Sequence, residues 1–524
     1  MTKAIFVAAA LCLPTPILAD ITAAEVWEEI QNNLFVVADE QEIDILLDVG
    51  TETVEDDGLL LSDVTFTYEG PDNIVTVDLD WIRLQNTAAD VVEITVNPIT
   101  NVLVEETWEY GEDKGVAIDV IQSEYLSRIT GAIDNYTVDT GVKYIKIALP
   151  IPEDAGNETG LISVLMKGIT SQSEVTTDVS DLFSDMAMAI DSISMKADMV
   201  GSRPTFDLDD SMDLEANERP EIFALSSEIR DFRIVAQEEE TGLDHEIESF
   251  DELPEMHFLV SVADANLAFL YSGFSYTGDP VSADIAASTG EMRSELSISQ
   301  ENISAEAIAQ EIAVTADLDT DEVTDVFEGS LDEVGYRLNI GLDLENGRAE
   351  GSYRENIDNL LLSSSFWDMF DPEITIPRDP ISSIMDVTGD LLFEPDNLDV
   401  ENLENANTDV FKTLQVKLNQ YLLSGAGVRI EASGEAIMDM AGIDLDYDEP
   451  KMSASLHVDL QGAFDLIGKL LELDIIPADI AFGARTVIGM VGEREGDGDH
   501  FVSDITIDEN GDLTVNGKPF EMPD

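Results

Sequence analysis

The chain has 524 residues, of which 111 are Asp or Glu and 25 are Lys or Arg, a formal charge of −86, yet 44% of it is hydrophobic. That apolar share separates it from disordered acidic tails and suffices for a large core, so the sequence predicts a folded protein with an acidic skin. The charge excludes nucleic acid as a partner and an anionic lipid surface as a direct dock, because their phosphates would be repelled.

Residues 1–19 begin with Lys3, continue through an apolar stretch from Ala4 to Leu13 and end on the small Ala19 before Asp20, the pattern of a secretory signal peptide. The stretch is too short for a bilayer, which takes about twenty residues. Leu11 before Cys12 does not fit the small residue that lipidation requires. Cleavage after Ala19 removes the one cysteine, so the mature chain, expected in the periplasm or alternatively secreted, has no disulfide, thiol nucleophile or thiolate metal site. No later stretch is apolar for long enough to predict a transmembrane segment. The acidic excess fits either a saline habitat or an ordinary acidic exported protein. In both cases unscreened carboxylates predict lower stability at low ionic strength.

The mature chain opens as a helix, with Thr22 as cap, Glu25 at the capping-box position and Val26, Trp27, Ile30, Leu34 and Val37 at helical spacing. From residue 59 the period becomes two. Val64, Phe66 and Tyr68 alternate with Asp63, Thr65 and Thr67, and Val75, Val77, Leu79 and Trp81 with Thr76, Asp78 and Asp80. Val92, Ile94 and Val96 follow the same rule, as do Met452 to Leu460. These are half-buried antiparallel strands joined by turns such as 69–73. Helices are expected at 179–190, at 463–473 and, after Pro477, at 478–491. Acidic loops are expected at 237–255 and 394–409, and Ser424–Gly427 reads as a turn. Asn510–Gly511 between two alternating runs predicts a closing hairpin. The fold class is therefore mainly β (α+β): a large twisted antiparallel sheet with a few short helices. Its expected divisions are a signal peptide at 1–19, an N-terminal β-rich region at 20–215 and a C-terminal β-rich region at 216–524, the last two conceivable as one continuous unit.

The segment Trp367-Asp-Met-Phe-Asp371-Pro372, followed by Ile376-Pro-Arg378-Asp-Pro380 and Val387-Thr-Gly-Asp, resembles a domain-of-unknown-function family of exported proteins from Gram-negative bacteria. The Ala24-Glu-Val-Trp27 opening, Ala484-Arg485 and the closing Gly511 to Pro519 agree with it. The resemblance implies export and approximate architecture, and carries no activity or catalytic residue. Read physically, the Asp–Pro steps force extended or turn geometry. Phe366, Trp367 and Phe370 plug a core edge or line a groove, and Arg378 serves as a fold-internal ion pair or an anion site.

Asp317, Asp319, Asp321, Asp325 and Glu328 fall at positions 1, 3, 5, 9 and 12 of a calcium-loop spacing, so calcium is the one cofactor the sequence suggests. Against it, Glu322 stands where the tight turn takes glycine, and the preceding Ile312 to Val314 reads as strand. His245, His257, His457 and His500 lack zinc spacing, with His457 facing solvent on a strand. Neither a Gly-x-Ser-x-Gly elbow nor a phosphate-binding glycine loop is present, and the carboxylates are too many to single out a hydrolytic pair. The expectation is a non-enzymatic periplasmic protein whose sheet keeps an apolar groove for a hydrophobic ligand or envelope partner. The alternatives are an envelope interaction protein with a closed core and, third, a carboxylate-based hydrolase.

Overall fold

The computed structural model describes residues 22–28, 30–31, 44–69, 73–88, 90–97, 99–106, 114–132, 135–151, 159–176, 185–205, 217–239, 255–274, 280–320, 324–395, 410–441 and 451–520. They form a mainly β protein: one antiparallel sheet of 26 strands with few, short helices. Its contacts gather into two compact units, unit 1 comprising Met1–Gly242, Phe258–Ala286 and Asp317–Thr324, and unit 2 comprising Leu243–His257, Ala287–Ala316 and Asp325–Asp524. The expected break at 215 lies outside the described residues. The strands on either side of it, β10 (Asp185–Thr205) and β11 (Asn217–Glu239), pair along their length, from Asp185↔Gln237 to Thr205↔Asn217, so the chain does not divide there.

Unit 1 begins with helix α1, residues 23–28. The capping box forms: the Thr22 backbone N–H donates to Glu25 Oε2 at 2.9 Å, and the Glu25 N–H donates to Thr22 Oγ1 at 3.3 Å. Val26 and Trp27 are buried against β2 (Gly58–Glu69) and β3 (Asn73–Ala88), whose paired Leu61↔Ile82, Val64↔Leu79 and Phe66↔Val77 make the core. β4 (Val91–Val96) and β5 (Ile99–Glu106) both pair with β3, as two halves of one interrupted strand. β6 (Lys114–Ser123) and β7 (Leu126–Ala132) likewise both pair with β8 (Asn135–Ile151). The meander continues through β9 (Thr159–Thr176), β10 and β11 to β13 (Asp264–Phe274).

A crease crosses these strands, and it sets which face each side chain takes. In β2 the inward residues are Leu59 and Leu61 before Asp63, but Val64 and Phe66 after it. In β8 they are Tyr136, Val138 and Val142, then Ile145 and Ile147. In β10 they are Met188 and Ile190, then Ile193 and Met195. A strand alternates strictly with period two, so a one-residue slip would turn its second half inside out unless the backbone twists. It does: Asp63, Glu124, Gly168 and Asp231 take left-handed φ of 55°, 54°, 61° and 49°. β4 ends at Val96 and β6 at Ser123 beside the same row. Because the partner strands slip at the same point (Ser62↔Trp81 then Val64↔Leu79, Ile190↔Ile169 then Ser192↔Lys167), the register is kept and the apolar face stays continuous.

The expected helix at 179–190 is instead the start of β10 from Asp185 on, with 179–184 outside the described residues. Its Met and Ala favour helix, but pairing on both sides, with β9 and β11, overrides that local preference.

In unit 2, β17 (Thr324–Asp343), β18 (Arg348–Leu362), β19 (Ile381–Phe393), β20 (Phe411–Gly425), β21 (Val428–Asp439), β22 (Lys451–Gln461) and β24 (His500–Ile507) pair in chain order. Glu311 and Asn359, with φ of 51° and 55°, repeat the left-handed device. Three helices occur among the described residues of this unit: α2 (Ser364–Asp368), α3 (Ala463–Glu472) and α4 (Ala478–Val491). The last two match the expected positions, Pro477 standing just before α4. The closing hairpin pairs Ile505↔Val515 and Ile507↔Leu513 around Gly511, whose φ of 81° only glycine adopts freely. The expected loops lie mostly outside the described residues, at 240–254 and 396–409; Gln237–Glu239 end β11 and Glu255 begins β12 (Glu255–Val262).

Candidate functional site

The strands of unit 2 have two unlike faces. Register places Tyr353, Val387, Leu418, Gly434, Leu456 and Ile505 in one row across β18 to β24. Ala349, Leu391, Leu414, Met438 and Met452 make another. All of these residues are half-buried. The opposite face carries Arg348 paired with Asp390, Arg354 with Asp386, and Lys417, Glu435 and Asp504. Within the described strands of unit 2 only Phe393, Phe501 and Val515 are fully buried hydrophobics, whereas β2 and β3 of unit 1 alone hold nine. An apolar sheet face that excludes water would bury its side chains as β2 and β3 do. Among the described residues of this unit the helices do not supply that cover: α3 stacks Phe464 on Phe501, ring centroids 4.7 Å apart, at the end of β24.

The 363–380 connection sits at one end of this face. Ser363 caps α2 by accepting from the Phe366 N–H. Trp367 is buried and tilts against Phe370 at 5.3 Å, whereas Phe366 and Phe370 are 40% and 36% exposed. Asp371 is fully buried and accepts from the backbone N–H groups of Thr375 at 2.8 Å and Ile376 at 2.7 Å. Burial pushes its pKa up, but those N–H bonds and nearby Arg378 outweigh burial and hold the carboxyl below the usual range. Arg378 donates to Asp368 at 2.6 Å and to the Asp371 carbonyl at 2.9 Å, so it is an internal tie. The loop it closes presents Met369 and Ile374, 68% and 66% exposed, the latter at φ 56°, a costly conformation for a β-branched residue.

The same end carries α4. An ideal Cβ on Gly427, in the β20–β21 turn, would lie 2.9 Å from Pro377, and one on Gly462, just before α3, would lie 2.1 Å from the Gly427 carbonyl. The connection, the turn and the helix pair therefore cluster together. Ile480, Phe482, Val487 and Met490 of α4 are all more than half exposed. The aromatic segment thus splits its duty: Trp367 anchors, and Phe366 and Phe370 face outward.

The calcium spacing does not close. Asp317 and Asp319 end β16 (Asn302–Asp319), Asp325 and Glu328 begin β17, and Asp321 lies outside the described residues. Two residues three apart on a strand point to opposite faces about 10 Å apart, which separates Asp325 from Glu328. Asp325 accepts from Ser365 Oγ at 2.8 Å and Asp319 from Thr324 Oγ1 at 3.0 Å. No group of three or more metal-ligating side chains converges among the described residues.

His457 is exposed as expected, but its Nδ1 lies 2.7 Å from Asp504 on the neighbouring strand, and His500 Nε2 lies 2.9 Å from Asp459. Burial opposes ionisation of Asp459, yet bonding to His500 and Gln461 lowers its pKa. These pairs are non-local, and nothing in the spacing of the sequence announced them. A second missed cluster is polar and partly buried: Glu333 accepts from Asn356 at 2.9 Å and from Gln310 at 2.8 Å, bonds that hold its pKa below the usual value against burial. No protein-family model matches the chain, and neither does any curated protein or solved structure.

Proposed function

We propose that the protein is a non-enzymatic, exported carrier or shield for an apolar ligand in the periplasm, and that the half-buried apolar face of β18–β24 is where the ligand lies. The observation that carries this reading is the contrast between the two units: nine fully buried hydrophobics on two strands of unit 1 against three on all the described strands of unit 2. Covering apolar surface contributes about 25 cal/mol per Å². A face tens of ångströms long that stays half-wet is a standing drive to bind an apolar molecule. Export is supported by the signal-like residues 1–19.

Mass spectrometry of an organic extract from the mature protein, purified without detergent beside an equally acidic exported control, tests the reading. A stoichiometric apolar molecule is expected, and its loss from Leu418→Lys and Leu456→Asp variants would place it on this face. A clean extract from folded protein sinks the carrier. The second reading, an envelope interaction protein, is favoured by the exposed Met369, Ile374, Phe482 and Met490 at the end of the face. Crosslinking through those positions would then capture a protein in place of a ligand.

A further inference from the structure

The outer face of unit 1, opposite its core, holds a cleft of about 610 Å³, within the range of small-molecule sites. Two adjacent rows of the sheet floor it. One runs Leu126–Gly141–Thr170–Ala189–Arg233 across β7, β8, β9, β10 and β11. The next runs Arg128–Asp139–Gln172–Ala187–Val235 across the same strands. Residues directly opposite one another share a face, so both arginines rise from the floor, at opposite ends of the cleft. Four strand spacings separate β7 from β11, about 19 Å. A Cβ built on Gly141 would meet nothing within 4 Å, which marks the open middle of the cleft.

The two cations are not equivalent. Arg128 is held by Glu93 through its Nε at 3.2 Å and its Nη2 at 2.6 Å. Arg233 is exposed into the cleft and has no ion-pair or hydrogen-bond partner among the described residues. Its near neighbour Arg230, by contrast, is held by Glu228 and Asp264. In a chain of 111 carboxylates and 25 cations, a guanidinium whose planar donor fork is open among the described residues, beside Ala189 and Ala187 on β10 and with Leu126 across Thr170 and Gly141 at the far end of its row, is matched to an anion carrying an apolar body.

We infer that this cleft binds an anionic amphiphile, with its carboxylate or phosphate head on Arg233 and its hydrocarbon body along the floor towards β7. The inference stands apart from the carrier reading: it concerns another unit and another ligand chemistry, and neither depends on the other.

Dodecanoate is the probe, titrated by calorimetry into the full mature chain in about 0.3 M NaCl, so that the general negative field is screened. One-to-one binding is expected, weakened about tenfold or more in Arg233→Gln. Ala189→Phe, which fills the floor, should weaken it as well, while Arg230→Gln should leave it unchanged. Dodecanol tests the need for the anionic head and should bind at least about tenfold more weakly. Acetate and inorganic phosphate test a free anion as the source of the chemistry and should not displace dodecanoate. The inference is overturned by wild-type affinity in Arg233→Gln, by equal affinity for dodecanol, by displacement with acetate or phosphate, or by the absence of dodecanoate binding to protein whose circular dichroism is native.

Discussion

Deleting Asp63 should unfold unit 1, whereas replacing it should not. Asp63, opposite Gly50 and Asp80, is the left-handed residue at which β2 slips, with Leu59 and Leu61 inward on one side of the crease and Val64 and Phe66 inward on the other; their exposures are 1%, 0%, 0% and 7%. Without it β2 alternates strictly while the strands beside it still slip at Gly50 and Asp80, so Val64 and Phe66 fall opposite the outward-facing Asp80 and Asp78 and must turn out or give up their pairing. Each fully buried Val, Leu or Phe contributes about 1.5 to 3 kcal/mol, so losing either pair costs about 3 to 6 kcal/mol. Domain stabilities are about 5 to 15 kcal/mol, and the same flip would drive Thr65 and Thr67 into the core. Asp63→Gly keeps the register and removes the left-handed cost of a side chain, about 1 to 2 kcal/mol, offset in part by the entropy of glycine. Urea unfolding followed by tryptophan fluorescence reads both, Trp27 and Trp81 reporting on unit 1 and Trp367 on unit 2. A deletion variant with the wild-type midpoint in unit 1 would refute the crease as the device that fixes side-chain direction.

Further outcomes follow from single residues. Asp371 titrates lower folded than unfolded, so the stability it contributes is complete above the unfolded value of about 3.9 and disappears as pH falls through the folded one. Asp371→Asn should lower the melting temperature at neutral pH and flatten the acid limb, and an unchanged limb would contradict that assignment. Asn356→Ala removes the hydrogen bond that does most to stabilise the Glu333 carboxylate, so carboxyl NMR should show the Glu333 titration moving upward. Thr22→Ala should destabilise unit 1 by about 1 kcal/mol through loss of the capping box, measured in the same urea titration. With a formal charge of −86, the melting temperature should rise between about 0.02 and 0.5 M NaCl; a flat profile would mean that repulsion is not limiting.

Much of this architecture is local and therefore readable in the chain. Thr22 and Glu25 announce the first helix, Pro477 the start of α4, and Asn510–Gly511 the last turn, because each acts within four residues of itself. The alternation at 64–68 and 75–81 marks strands for the same reason. The one-residue slips are also written in the sequence, as two inward residues three apart (Leu61 and Val64, Leu79 and Ile82, Val142 and Ile145), but a single slip looks like noise until neighbouring strands show it on the same row. The segment 185–190 misleads because its Met and Ala suit helix and only its partners decide otherwise. The pairing of His457 with Asp504, and the meeting of Arg128 and Arg233 around one cleft, rest on register between strands far apart in the chain, which no spacing rule encodes.

The meander has a consequence for how the chain assembles. The described strands pair with strands near them in the chain: many with the next one, and those that skip, such as β3 with β5, β4 with β7, β6 with β8, β11 with β13 and β22 with β24, pass over one or two elements. Loop-closure entropy is thus met in small steps, as in a repeat array. A chain delivered from its N-terminus can zip strand onto strand, starting where α1 seals the core of unit 1. The growing edge stays among the last few strands made, so the hazard of an unpaired edge is confined to a short moving region and is blunted there by the carboxylates that line the outer face.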